Sequence, residues 1–108
     1  MKEKPVYELS DVVDIIVNKV NPDKIILFGS RARGDYRDDS DYDLLVLKEN
    51  LGKKRLAGEI YSEFYNKCVM IPVDILVADT EKYSNRLSEM GFIFKIINKE
   101  GVSVYERA

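Results

Sequence analysis

Histidine is absent from this chain of 108 residues. No side chain therefore has an ordinary pKa near neutrality, and proton chemistry there falls to carboxylates, metal-bound groups or the substrate itself. Cysteine occurs once, as Cys68, so no internal disulfide can form and a reduced, cytoplasmic compartment is the natural reading. No apolar run approaches the ~20 residues that cross a bilayer. Residues 1–5, Met-Lys-Glu-Lys-Pro, lead into no signal core. Both features predict a soluble protein without a membrane partner. A strong positive charge is missing too: the formal net charge is -2, which argues against nucleic acid as the partner. What remains is 45% hydrophobic and 33% charged residues, enough for a packed core and too apolar for disorder. Residues 1–108 fit one domain of ordinary size.

Periodicity supplies the elements. Leu9, Val13, Ile16 and Val20 recur at helical spacing, with Ser10 as the expected cap. Asn21-Pro22 stops that helix. Residues 24–28 and 41–47 read as strands around a polar, turn-rich loop. Leu56, Ile60, Phe64 and Cys68 predict a helix over about 52–68, and 72–77 a further strand. The stripe Tyr83, Leu87, Met90, Phe94 and Ile97 predicts one long helix over 80–100, capped by Thr80, before a short strand at 102–105. The order implies an α/β or α+β sandwich, a small sheet flanked by helices. Val12, Ile15 and Val17 in the first helix, and Phe92, Ile93 and Ile96 in the last, lie outside the stripes. They widen the core face or form a patch for a partner chain.

The acids carry the chemistry. Residues two apart on a strand share a face, so Asp41 and Asp43 project together, about 7 Å apart along the chain. Asp43 precedes Leu44-Leu45-Val46, and Asp74 precedes Ile75-Leu76-Val77. Adjacent strands would bring all three acids to one sheet edge. Asp74, tightly flanked by Val73 and Ile75, reads as partly buried. Asp35, Asp38 and Asp39 read as solvated loop acids. Three carboxylates in one pocket need a cation, a proton or basic side chains. An all-oxygen set suits a hard divalent ion, Mg²⁺ above all.

Gly29-Ser30 directly follows the first strand. Glycine lets a phosphate approach the backbone closely, and amides at the start of a helical turn favour anions. Ser30 adds a hydroxyl, and Arg31 and Arg33 add charge that can pair with phosphate oxygens. Gly29 and Gly34 have the glycine spacing of a Walker A loop, but Asp35-Tyr36 stands where Lys and Ser/Thr belong. Asp39, Asp41 and Asp43 open like a calcium loop, yet Leu44 and Asn50 occupy its required Gly and Glu positions.

Taken together, Gly29-Ser30, Arg33-Gly34, Asp41-x-Asp43 and Asp74 on a later strand resemble the DNA polymerase beta-like nucleotidyltransferase superfamily. The length and the phrase GSRARGDYRDDSDYDLLV are most similar to its minimal nucleotidyltransferases. The resemblance implies a mixed sheet with flanking helices, Mg²⁺ (two ions) and a nucleoside triphosphate, ATP above all. By it, Asp41 and Asp43 hold the metals that bridge the triphosphate, and Asp74 completes the set toward the acceptor hydroxyl. Gly29 and Ser30 hold the phosphates, with Arg33 as a further contact. The reaction would be in-line attack on the α-phosphorus with loss of pyrophosphate, between metals about 3.5–4 Å apart.

The same resemblance implies a partner. Minimal nucleotidyltransferases pair with small helical HEPN toxins and act as antitoxins by adding AMP to a toxin tyrosine. Other functions stay open from the residues: an antitoxin that works by occlusion, or transfer to a small molecule or a nucleic-acid end with Lys53-Lys54-Arg55 as a contact. A homo-oligomer also stays open.

Overall fold

Leu44, Leu45, Val46 and Leu47 are consecutive and all buried, so their strand needs a covered surface on both faces. The computed structural model describes residues 4–52 and 54–108. Its sheet has four strands in the order β3-β2-β1-β4: β1 (Lys24–Phe28), β2 (Tyr42–Lys48), β3 (Val73–Asp79) and β4 (Val102–Glu106). β1 runs antiparallel to β2 and β4, while β2 and β3 are parallel. This is the expected mixed α+β sheet with flanking helices.

Alternation along the strands sorts the core into layers. Ile25, Leu44 and Val46 pack with α1 (Leu9–Val20) and α3 (Leu56–Asn66), through Val12, Val13, Ile16, Ile60 and Phe64. Ile26, Leu45, Leu47 and Ala78 pack on the other face against Tyr83 of α4 (Thr80–Asn85) and Ile97 of α5 (Phe92–Glu100). Val12 is fully buried, and Ile15 and Val17 pack against the first cluster. These side chains widen the core face. Phe92 (75% exposed) and Ile93 (44%) do not.

Several expected boundaries move. α1 starts at Leu9 with Glu8 before it, and Ser10 makes no cap. Asp79 rather than Thr80 caps α4, accepting from the Lys82 amide at 3.1 Å. The single helix expected over 80–100 is broken into α4, a 3₁₀ turn (Leu87–Glu89) and α5. Gly91 precedes α5 in an extended conformation, and glycine is a poor helix interior residue. Tyr83, Leu87, Met90, Phe94 and Ile97 still belong to one cluster, because the turns return each of them to the sheet.

α3 is shorter than the expected 52–68 span, and its ending is specific. The Val69 amide donates to Phe64 O at 2.9 Å and the Cys68 amide to Tyr65 O at 3.3 Å. Cys68 sits between them in the left-handed region, at φ 57°. This is a Schellman ending with cysteine where glycine is usual. Left-handed backbone costs an L-residue about 1–2 kcal/mol, and glycine returns part of that through its larger unfolded-state entropy. Cys68→Gly is expected to raise stability by about 0.5–1 kcal/mol, read as a higher urea midpoint at unchanged slope. An unchanged or lower midpoint would count against strain at this turn.

Candidate active site

The end of β1 and the starts of β2 and β3 meet at one end of the sheet. Phe28 pairs with Asp43 across the antiparallel ladder, and Asp43 pairs with Asp74 across the parallel one. Side chains alternate, so Asp43 shares a face with Leu45 and Leu47, and Asp74 shares it with Leu76 and Ala78. The acids thus stand side by side at the open end of the layer covered by α4 and α5. Asp41 lies just before β2, with its carboxyl near enough to that of Asp74 to raise the Asp74 pKa. Asp35, Asp38 and Asp39 are exposed in the loop, as expected.

Gly29 closes this end from the β1 side. Its φ of 74° belongs to glycine. A Cβ at this position would clash with the Asp43 carboxylate oxygen, so the missing side chain is what lets that carboxylate lie against the turn. Ser30 begins α2 (Ser30–Arg33), a single turn that ends at Gly34, φ 89°.

Burial, then the charge of Asp74, then that of Asp41, push the Asp43 carboxyl above its usual range, and Arg33 opposes them. Desolvation, then the neighbouring Asp41 carboxyl and its charge, push Asp74 up likewise. Asp74 itself is exposed, not partly buried as its apolar neighbours imply. It lies at the rim of β3, an edge strand, where the flanking side chains cover its neighbours and not the carboxyl. Among the described residues, no group of three acids or cysteines already stands as a ready metal-ligand set.

The two arginines of the turn part company. Arg33 is exposed, paired with Asp35 at 3.3 Å and with Glu100 of α5 at 3.4 Å. Both acids raise its pKa, Asp35 more. Exposed pairs of this kind hold weakly, so Arg33 is free to change partners. Arg31 faces inward: its Nε donates to Ser40 O at 3.3 Å, its Nη2 to Ser40 O and Asp38 O at 3.2 and 3.1 Å. It also lies over the rings of Tyr36 and Tyr42, at 4.2 and 4.4 Å. A phosphate contact by Arg31, expected from its charge alone, does not fit this commitment. Tyr61 is a residue that sequence reasoning missed. Its hydroxyl accepts from the Ile75 amide at 2.8 Å, next to Asp74 on the outer edge of β3. No periodicity signals that contact, because Tyr61 lies off the α3 core stripe. In the basic run before α3, Lys54 and Arg55 are exposed, and Lys53 lies outside the described residues.

The raised pKa values fix a sign. Folding favours the protonated forms of Asp43 and Asp74. Their contribution to stability is full below the unfolded-state pKa and is lost as pH rises through the raised folded-state pKa. Asp43→Asn should therefore unfold a few degrees above the parent chain at neutral pH without divalent ions. The gap should close as pH falls below the ordinary carboxylate range. Thermal unfolding across pH checks this, and a variant no more stable than the parent at neutral pH would contradict it.

Comparison with known proteins agrees with this geometry. The family model described as "Polymerase beta, Nucleotidyltransferase" matches residues 10–108. A protein of Methanocaldococcus jannaschii whose name assigns it as a protein adenylyltransferase is 46% identical over 77 residues, 68% of this chain and 76% of that one. A crystal structure assigned as a nucleotidyltransferase, from Sulfolobus solfataricus, aligns with a TM-score of 0.59 at 23% identity, over 91% of this chain and 77% of that one. A crystal structure of a toxin–antitoxin with AMP-PNP aligns with a TM-score of 0.55 at 18% identity, over 93% and 75%. At these identities the solved structures establish the shared fold. The match across residues 10–108 establishes more: this chain belongs to the polymerase beta nucleotidyltransferase family.

Proposed function

We propose that the chain is one minimal nucleotidyltransferase domain, residues 1–108, that transfers AMP from ATP to a hydroxyl of a partner protein. The acceptor in this reading is a tyrosine of a small helical HEPN toxin, which the transfer disarms in the cytoplasm. The carrying observation is the juxtaposition of Asp43 and Asp74 in register, with Asp41 close to Asp74, beside the Gly29 turn.

The acid end fits Mg²⁺ by its donor chemistry. All the donors are oxygens, and Asp43 and Asp74 both carry pKa values raised in part by neighbouring carboxylates. A cation is what relieves such a set. In this reading Asp41, Asp43 and Asp74 would hold Mg²⁺, as a pair of ions. When bound, Mg²⁺ supplies charge neutralisation at the triphosphate and polarisation of the phosphoryl group.

The chain's own residues do the rest. Gly29 and Ser30 receive the phosphates at the turn where the missing Gly29 side chain lets the Asp43 carboxylate lie close to the backbone. Arg33 exchanges its surface pairs with Asp35 and Glu100 for a phosphate oxygen. Asp74, exposed at the sheet edge, faces the incoming hydroxyl and accepts its proton. The new O–P bond forms at the α-phosphorus as the bond to pyrophosphate breaks.

Support for a protein acceptor comes from the Methanocaldococcus jannaschii relative named for protein adenylyl transfer. Support for a toxin partner, and for ATP as the nucleotide, comes from the neighbouring crystal structure of a toxin–antitoxin with the ATP analogue AMP-PNP. A second reading, neutralisation by occlusion without catalysis, draws on Phe92 and Ile93, which remain exposed at the start of α5.

Asp41→Asn with Asp43→Asn separates these readings. The parent chain, ATP, Mg²⁺ and the product of the neighbouring gene are incubated, and the partner is weighed. The expected result is a mass gain of one or more adenylyl groups with the parent and at least a 100-fold slower gain with the double variant, with binding of the pair intact. No mass gain with the parent while the pair binds, or protection of cells retained by the double variant, would favour occlusion.

A further inference from the structure

Arg31 is a cation that the proposed chemistry leaves unused, in the same turn as the proposed phosphate-binding residues. It is spent inside the protein. Its guanidinium reaches from α2 to the far end of the loop at residues 34–41, where it binds the carbonyls of Asp38 and Ser40. The Tyr36 ring covers it from that loop, and the Tyr42 ring from the first residue of β2. Ser40 in turn accepts from the Arg37 amide through its hydroxyl, at 2.8 Å. Asp41 follows Ser40 directly and precedes Tyr42. Arg31 therefore grips the residues on both sides of Asp41 and does not touch its carboxyl.

That position matters because Asp41 is unlike the other two acids. Asp43 and Asp74 are held by paired strands, whereas Asp41 lies outside the ladder. The exposed loop carries Asp38, Asp39 and Asp41 against Arg37, besides Asp35 paired with Arg33, so its carboxylates are in excess and repel one another. A cation bound to the carbonyls of Asp38 and Ser40 counters that repulsion.

We propose that Arg31 is a positioning residue for Asp41. It clamps the loop carbonyls and the Tyr36 and Tyr42 rings to the Gly29–Ser30 turn, so that metal-binding and phosphate-binding groups keep a fixed spacing. The proposal rests on the reading of Asp41 as a metal-binding acid. Arginine is required by geometry. A planar fork can bind two carbonyls while stacking on aromatic rings, and a lysine ammonium cannot.

The test compares Arg31→Lys, Arg31→Ala, Tyr36→Ala and Asp41→Asn with the parent chain. Mn²⁺ affinity is measured by titration with AMP-PNP present, AMP-PNP affinity is measured without metal, and folding is checked by thermal unfolding. Loss of a supporting residue around a metal site typically costs about 10–100-fold in affinity. Both Arg31 variants are expected to weaken Mn²⁺ binding to that degree, with lysine giving no rescue. Tyr36→Ala should weaken it several-fold, and metal-free AMP-PNP affinity should stay near that of the parent. Tyr36 is an exposed loop residue, so its variant decides the matter if the Arg31 variants fail to fold. Loss of metal-free AMP-PNP affinity in the arginine variants, with Tyr36→Ala neutral, would make Arg31 a phosphate ligand and overturn the proposal. Parent-like Mn²⁺ affinity in folded Arg31 or Tyr36 variants overturns it too, provided Asp41→Asn binds weakly. If Asp41→Asn itself binds Mn²⁺ like the parent, the metal role of Asp41 falls and the proposal falls with it.

Discussion

Repulsion between like charges governs the acid end of this sheet. Two carboxylates about 4 Å apart repel by roughly 4 kcal/mol at an effective dielectric of 20. Asp43 and Asp74 are nevertheless direct partners across a parallel ladder, and Asp41 joins them. Strand register keeps them there. Leu44 to Leu47 are buried on both faces of β2, so the hydrophobic layers above and below fix its alignment with β3. A slip by one residue would turn every side chain of the strand to the opposite face. The unfavourable juxtaposition of acids is thus sustained by apolar burial a few residues further along the same strands.

Another aspartate shows how the chain treats an acid that carries no such strain. Asp23, just before β1, accepts from the Glu49 amide at 2.9 Å and the Thr80 hydroxyl at 2.5 Å, and pairs with Arg107. It ties the end of β2, the start of α4 and the C-terminal residues into one knot. Its oxygens are satisfied by protein groups. Among the described residues, Asp43 and Asp74 have no comparable donors, and the charge of Arg33 alone lowers Asp43. Arg33 itself spends its bonds on Asp35 and Glu100. The contrast separates an acid that holds the fold together from acids that the fold leaves under mutual repulsion.

Much of this was legible in the sequence, for physical reasons. Asp43 and Asp74 precede matching apolar runs, and parallel strands with matching burial align at matching positions. The core stripes were legible because burial imposes periodicity. Helix limits were less so: the stripe from Tyr83 to Ile97 carried straight across Gly91, although the backbone breaks there and the side chains still converge. The exposure of Asp74 was misread because tight apolar neighbours say little about a carboxyl at the rim of an edge strand. Arg31 was misread because charge announces a preference for anions, and only the folded loop reveals that carbonyls and aromatic rings already hold it. Tyr61 carries no periodic signal, since its role depends on where the edge of β3 falls.

The central claim is that the acid end is a binding site for a divalent cation together with a nucleoside triphosphate. Its most direct test is thermal stability against Mg²⁺ concentration at a fixed level of AMP-PNP, for the parent chain and for Asp43→Asn with Asp74→Asn. A ligand that binds only the folded state raises the unfolding temperature progressively with its concentration. The account predicts that rise for the parent chain and its loss in the double variant. A parent chain indifferent to Mg²⁺ and nucleotide, or a double variant that responds equally, would contradict it.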